Sequence, residues 1–234
     1  MQVFYSSDIS GELNTLSEEE SKHCINVLRH KKDDVISVTD GKGNLYKAKI
    51  EEAHPKRCAF SVLEKTTSLE KSYSIHIGFS PTKNIDRTEW FLEKCIELGV
   101  DKVSFLLCHH SERKHINPER LQRLAISALK QSLNLRLPEL SDMSSFQDFI
   151  HSFSGENGFI AYVDQENNKH LFNEAPKSSN YTILIGPEGD FSPEEVKMAL
   201  HKGFKAVSLG KSRLRTETAG VVACHCLNLV NEIP

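Results

Sequence analysis

The stretch Thr182-Ile183-Leu184-Ile185-Gly186-Pro187-Glu188-Gly189-Asp190-Phe191-Ser192-Pro193-Glu194-Glu195 constrains this chain more than any other. Its first part is apolar and mostly β-branched, the pattern of a buried strand. The run stops at Gly-Pro-Glu-Gly, where Gly permits unusual backbone angles and Pro removes a donor. A helix opens directly afterwards. Ser192 is a good N-cap, Pro193 takes the first helical position, and Glu195 completes a capping box. A rigid strand therefore hands over to a rigid helix through a turn poor in side chains. In α/β proteins ligands tend to bind in such turns, at the carboxyl ends of strands. The same residues also fit a plain strand–turn–helix connection.

The 234 residues suffice for one large domain or two smaller ones. The formal net charge of -3 rules out a polycation, so binding to nucleic acid needs a local basic surface. No apolar run approaches the length of a membrane span, and MQVFYSSDIS lacks the apolar core of a signal peptide. Cys24, Cys58, Cys95, Cys108, Cys224 and Cys226 form no C-x-x-C, and several sit in apolar patterns, which fits small hydrophobes in a reducing cytoplasm. Metal-ligand spacings are missing despite eleven His, so no metal is expected.

Residues 1–65 read as a small β-rich unit. Val3-Phe4-Tyr5 is strand-like. Ser17 and Glu20 form a capping box for a short helix bearing Ile25, Val27 and Leu28, which runs into Arg29-His30-Lys31-Lys32. Val35 to Val38, Leu45 to Ile50 and Cys58 to Leu63 are strand patterns, with a turn at Asp40-Gly41-Lys42-Gly43. Short strands at short spacing suggest a small barrel. The polar segment Glu64 to Ser72 reads as a linker, which sets the domains at 1–70 and 73–234. From Tyr73 strands and helices alternate. Strands are expected at 74–79, 103–108, 159–163, 181–185 and 206–209. Helices are expected at 84–98, from Asn117-Pro118, at 144–150, at 193–202 and at 216–230. This rhythm predicts an α/β fold on a mostly parallel sheet.

Three strand ends carry unusual residues. Lys83 and Arg87, in Ser80-Pro81-Thr82-Lys83-Asn84-Ile85-Asp86-Arg87, are placed to meet phosphates beside helix amides. Ser111-Glu112-Arg113-Lys114 is a polar loop of paired charge. In Leu209-Gly210-Lys211-Ser212-Arg213-Leu214-Arg215-Thr216-Glu217-Thr218-Ala219-Gly220, a basic loop precedes a helix whose first turn holds Glu217. Gly-Lys-Ser is not a phosphate-binding P-loop, because the upstream Gly of that motif falls on Lys205. Hydrolase and dinucleotide fingerprints are absent as well. What remains is a cradle of backbone turns beside clustered Lys and Arg.

HCINVLRHKKDD, KNIDRTEWFLEKCIELGV, HHSERK, RLPEL, ILIGPEGDFSPEE and LGKSRLRTETA, in this order, resemble the ribosomal RNA small subunit methyltransferase E family over nearly the whole chain. Those enzymes belong to the SPOUT class, which uses S-adenosyl-L-methionine. The resemblance implies an α/β SPOUT methyltransferase domain with a C-terminal trefoil knot and a small N-terminal PUA-like β-barrel. It also implies a homodimer, no metal, and methylation of N3 of a uridine in 16S rRNA of the small ribosomal subunit.

Carried onto this chain, the resemblance puts the cofactor against Leu184, Gly186, Pro187, Glu188, Gly189, Leu209, Gly210, Leu214, Thr216, Thr218 and Ala219. Leu184 and Leu209 would supply an apolar floor. Arg215 would stabilise charge on the uracil ring, or else meet a phosphate. Glu217 or Glu188 would take the N3 proton, a role bulk water could also fill. Arg29, Lys31, Lys32, Lys83, Arg87, Arg113, Arg136 and Arg213 would face RNA. Two positions depart from the family pattern. Asp190 stands where the family usually has a second Gly, and Asn134 where it often has an Arg. A ribosome-assembly factor that binds RNA without catalysis, and a nucleotide-binding protein with no RNA role, are the competing readings.

Overall fold

The computed structural model describes residues 2–162 and 169–233, which form two compact units. The smaller unit takes the chain up to Glu70 together with Ile126–Leu137. The larger takes Lys71–Ala125 and everything described from Pro138 onward.

In the smaller unit β1 is Val3–Tyr5, β2 Asn14–Thr15, α1 Glu18–Lys22, β3 Val35–Thr39, β4 Asn44–Glu52 and β5 Ala59–Thr67. The five strands form one sheet in the order β1-β3-β4-β5-β2, with only the β1–β3 pair parallel. Its core is built on Phe4, Leu16, Val38, Ile50 and Phe60. The turn at Gly41 to Gly43 is locked from outside by the returning segment. Gly43 N–H donates to Leu135 O, and Leu137 N–H donates to Gly41 O, both at 2.8 Å. The Arg136 guanidinium lies on Gly43, where a Cβ would come within 2.8 Å of its Cζ.

Three expectations for this unit need correction. The capping box at Ser17 is half formed. Ser17 Oγ accepts from Glu20 N–H, but the Glu20 carboxylate turns to Tyr5 N–H and Lys130 instead. The helix widens into a π-helical turn over His23–Val27, and Val27 is 62% exposed, so it is not a core residue. The linker begins after Thr67, because Glu64 to Thr67 continue β5 and pair with Asn44 to Lys47.

In the larger unit β6 is Ser74–Phe79, α2 Ile85–Glu97, β7 Lys102–Leu107 and α3 Pro118–Ser132, whose residues from Ile126 onward count with the smaller unit. Then come β8 Glu139–Leu140, β9 Ser144–Ser145, α4 Phe146–Ser152 and β10 Asn157–Ala161. The chain ends with α5 Leu171–Glu174, β11 Asn180–Ile185, α6 Pro193–His201, β12 Lys205–Val207 and α7 Thr216–Glu232. Val163, expected to close the strand of β10, lies outside the described residues. The sheet runs β12-β10-β11-β6-β7-β8, with β9 also on β7, and every pairing is parallel. Parallel strands covered on both faces read as continuous apolar runs, which is why these were visible in sequence.

One face of that sheet packs Leu106, Ile160 and Leu184 against Phe149 of α4 and Val196 and Ala199 of α6. On the other face Phe79 stacks on Phe91 of α2, with ring centroids 3.8 Å apart and planes at 6°. Against that ring lies Gly220 of α7, where an added Cβ would clash with Phe91 Cε2. All six thiols are free and buried.

Two outcomes are expected. Alanine at position 220 gains about 1 kcal/mol of helix propensity, but Phe91 is pinned by Phe79 and cannot retreat. Gly220→Ala should lower stability by roughly 1–3 kcal/mol in urea unfolding; a gain would show that α2 yields. His76, half-buried against Phe149 with Nε2 at 2.8 Å from Ser104 Oγ, is pushed down to about 4 by burial and then by Lys102. The unfolded chain binds this proton near pH 6.5, while the folded chain declines it until about pH 4. Stability is therefore full above pH 6.5 and falls by up to ~3 kcal/mol on acidification. His76→Gln should flatten the decline of Tm between those pH values; an unchanged slope would assign the acid sensitivity to other groups.

Candidate active site

Strand order locates the site. From β6 the chain leaves through α2 to β7 on one side, and from β11 it leaves through α6 to β12 on the other. Neighbouring strands whose following connections part in this way open a crevice at their carboxyl ends. Here the crevice is formed by Ser80 to Lys83 after β6 and Gly186 to Gly189 after β11. The two are stitched together. Ser80 N–H donates to Ile185 O at 3.0 Å, and Lys83 N–H donates to Glu188 Oε1 at 2.9 Å.

The loop after β7 closes a third side. Ser111 Oγ lies 2.8 Å from Ser80 Oγ and accepts from Cys108 N–H at 2.8 Å. His109 N–H donates to Glu195 Oε1 at 2.8 Å, while Glu195 Oε2 accepts from Ser192 N–H as the capping box requires. His110 Nδ1 is 3.0 Å from Asp190 O, so it carries the proton, because a carbonyl only accepts. Gly189 passes so close that a Cβ would stand 2.9 Å from His110 Cβ. Asp190 adopts φ 63, and its Oδ1 accepts from Phe191 N–H at 2.8 Å. Asp is among the few residues that take this conformation cheaply, since its carboxylate bonds locally. The Cys108 thiol is pushed up to about 12 by burial and then by Glu195, so it is no nucleophile at neutral pH.

On the far side, β10 separates β11 from β12, so the turns after those two strands lie two strand spacings apart, about 10 Å. After β12, Ser208 pairs with His170, and Gly210 follows at φ 124 with nothing within 4 Å of where its Cβ would be. The backbone at this edge is open for binding. The N–H groups of Glu188 and Gly189 have no hydrogen-bond partner among the described residues. The start of α7, at Thr216, has no side-chain cap. Such unpaired amides suit a ligand held by main chain.

Between α2 and the start of α7 is a cavity of about 620 Å³, lined by Asp86, Arg87, Trp90, Arg213, Leu214, Arg215, Glu217 and Thr218. Glu217 is 7% exposed, and its Oε2 is buried with no hydrogen-bond partner. Its Oε1 lies 3.8 Å from Arg87 Nε. Glu217 sits in the first turn of α7, where an acidic side chain complements the helix dipole. The side chains of Arg213 and Arg215 have no partner among the described residues.

Arg215 and Glu217 therefore share one cavity with Leu214, Thr218, Arg87 and Arg213. Thr216 is buried and Ala219 half-buried, in the first turn of α7 just behind it. Gly186, Pro187, Glu188 and Gly189 stand at the crevice, and Leu209 is half-buried beside Gly210. Leu184 is fully buried in the core, so its side chain is no floor for a ligand. Several expected RNA contacts have other duties. Lys83 Nζ pairs with Glu112 at 2.7 Å, and the Arg113 guanidinium donates to Thr82 O and Lys83 O. In the smaller unit Arg136 braces the Gly43 turn, and Arg29, Lys31 and Lys32 are exposed, with Arg29 at φ 60. From sequence, His110 was read as part of a strand end with no role at the Gly189 turn, and Trp90 as an apolar helix residue. Its signal was position: Trp90 follows Arg87 by three, hence on the same helix face.

A family described as RNA methyltransferase domain matches residues 69–228, and one described as RNA methyltransferase PUA domain matches residues 16–63. The ribosomal RNA small subunit methyltransferase E of Aquifex aeolicus is 30% identical over 226 residues, covering 94% of this chain and 96% of that protein. The crystal structure of a probable rRNA-methyltransferase from Porphyromonas gingivalis superposes with a TM-score of 0.91 at 42% identity, covering 99% of this chain and 98% of the other. The ribosomal RNA small subunit methyltransferase E of Neisseria gonorrhoeae, solved bound to S-adenosyl methionine, gives 0.85 at 26% identity, covering 99% and 98%.

Proposed function

Because the chain belongs to the ribosomal RNA small subunit methyltransferase E family, we propose that it methylates N3 of a uridine in 16S rRNA, using S-adenosylmethionine. One observation carries the reading: Arg215, whose guanidinium is unpaired, shares a cavity with Glu217, whose buried oxygen lacks a donor. The turns at Gly186 to Gly189, Leu209-Gly210 and Leu214 to Ala219 hold the cofactor, as the unpaired amides and the open space at Gly210 allow. When bound, the cofactor supplies a methyl group already activated by its sulfonium and leaves as S-adenosylhomocysteine.

The chain's own residues deal with the uracil. N3 carries a proton and attacks poorly until it is lost. Glu217 is placed to accept that proton, since an unsatisfied buried carboxylate oxygen gains a bond when a donor arrives. Arg215 stays protonated and donates in a fork, so it can stabilise the charge that spreads onto the ring oxygens. N3 lies on the pairing edge, so the base must be presented unpaired.

The same reading takes residues 73–234 as a SPOUT domain with a C-terminal trefoil knot. In support, α7 returns from the outer strand β12 to pack on β6, β11 and α2. Residues 1–70 are taken as a PUA-like barrel that grips RNA through Arg29, Lys31 and Lys32. The chain acts as a homodimer through the half-buried Val221, Val222 and Leu229 of α7, in the cytoplasm, where the small ribosomal subunit is made.

Calorimetry should show S-adenosylmethionine binding, and deletion should remove the N3-methyl mark from 16S rRNA; a persisting mark would refute the substrate. Arg215→Ala should cut turnover by roughly 100-fold or more while leaving cofactor affinity within a few-fold. Equal loss of both would make Arg215 structural. Replacing Arg29, Lys31 and Lys32 together by Ala should weaken RNA binding and reduce the slope of log affinity against log salt by up to about 3. An unchanged slope would leave that loop merely solvated.

A further inference from the structure

We propose that the cavity between α2 and the start of α7 selects the target base: it receives one unpaired uracil, laid on the Trp90 ring, with its pairing edge read by Glu217 between arginines. The assignment rests on the methyltransferase reading and adds to it the residues that recognise the base.

Three observations converge on that cavity. Trp90 is 43% exposed at its wall, an unusual place for so large an apolar surface, and a flat indole face is a stacking platform for a nucleobase. Arg213 and Arg215 have no partner among the described residues, and the nearest Arg87–Glu217 approach is 3.8 Å, longer than a charge-assisted hydrogen bond. The cations are thus available to a ligand. Finally, Glu217 keeps a buried oxygen without a donor, on a side chain more than nine-tenths buried.

The lining also has an order of charge. Uracil presents acceptor, donor, acceptor along its pairing edge: O4, N3–H and O2. A carboxylate among guanidiniums is the complementary set. Cytosine presents a bare N3 to the carboxylate, two acceptors facing each other, and its amino group to a cation. A site built to bond one edge rejects the wrong one because its own buried groups are left unpaired. The volume, about 620 Å³, lies within the range of small-ligand pockets, roughly 300–1,000 Å³.

Trp90 is the chain's one tryptophan, so its emission reports on this cavity alone. The protein is first saturated with S-adenosylhomocysteine, with binding followed by calorimetry. A short single-stranded RNA with a central uridine is then titrated in, and the same RNA with cytidine in its place. The uridine RNA should quench the emission saturably, and the cytidine RNA should bind several-fold more weakly. Trp90→Ala should lose about tenfold or more in RNA affinity by filter binding, and Trp90→Phe should restore most of it, both at unchanged S-adenosylhomocysteine affinity.

Equal binding of the two RNAs, or wild-type RNA affinity in Trp90→Ala, would overturn the proposal. So would full quenching by S-adenosylhomocysteine alone, which would make the cavity the cofactor's. Emission that follows protein concentration instead of RNA would mean that a second copy of the chain covers Trp90, and would overturn it too. If S-adenosylhomocysteine does not bind at all, the methyltransferase reading itself fails, and this assignment falls with it.

Discussion

The approach of α7 to α2 depends on the missing side chain at Gly220. Phe91 is fixed from below by its stack on Phe79, so the helices meet at this distance only if position 220 offers nothing but backbone. One turn earlier on each helix stand Glu217 and Arg87, and their 3.8 Å approach follows from the same contact. The close packing therefore sets the geometry of the polar site above it. It also explains why a carboxylate is buried there at all. Glu217 is carried inward by a helix whose position is decided three residues later, and the dipole at the start of α7 offsets part of the cost of leaving its charge in place.

Charge is distributed unevenly across a chain that is acidic overall. Many cations of the larger unit are already committed: Lys83 to Glu112, Lys102 to Glu139, Arg120 to Glu89, Arg113 to two carbonyls. Arg213 and Arg215 are not. What sets these two apart is the lack of an acceptor, a property that composition and local sequence do not display. The sequence already set Arg215 apart from Lys83 and Arg113, but only the structure shows that those two are paired.

The α/β alternation was legible because parallel strands covered on both faces announce themselves as apolar runs, and because a cap such as Ser192 marks a helix start. The departures have physical causes. β2, β8 and β9 are two residues each, too short for any period. Glu64 to Thr67 extend β5 with exposed side chains, so they carry a loop's composition while the backbone pairs with β4. Glu20 had the spacing of a capping box, but Lys130 and Tyr5 N–H compete for its carboxylate, and tertiary partners outbid the local one. The grouping of residues 126–137 with the N-terminal unit depends on backbone bonds to Gly41 and Gly43, which no pattern within the segment foretells. Arg215 and Glu217 were named from chemistry alone, and the structure brings both to one cavity. Leu184 was misjudged because a strand's apolar residue can face either the core or a ligand, and only packing decides.

Asp190 shows how a departure from a family pattern can be absorbed. Its φ of 63 is the conformation a glycine would supply, and the residue meets it by bonding its own carboxylate to Phe191 N–H. Its carbonyl oxygen receives His110 Nδ1, and its N–H reaches Pro187 O. The side chain here is engaged with the backbone just before α6. At position 189 the case is reversed. Its backbone angles are ordinary, yet a Cβ would strike His110. Of the two positions, the one that needs unusual angles tolerates a side chain, and the one with ordinary angles does not. The turn is therefore constrained at Gly189 by space and at Asp190 by conformation, and only the first constraint demands glycine.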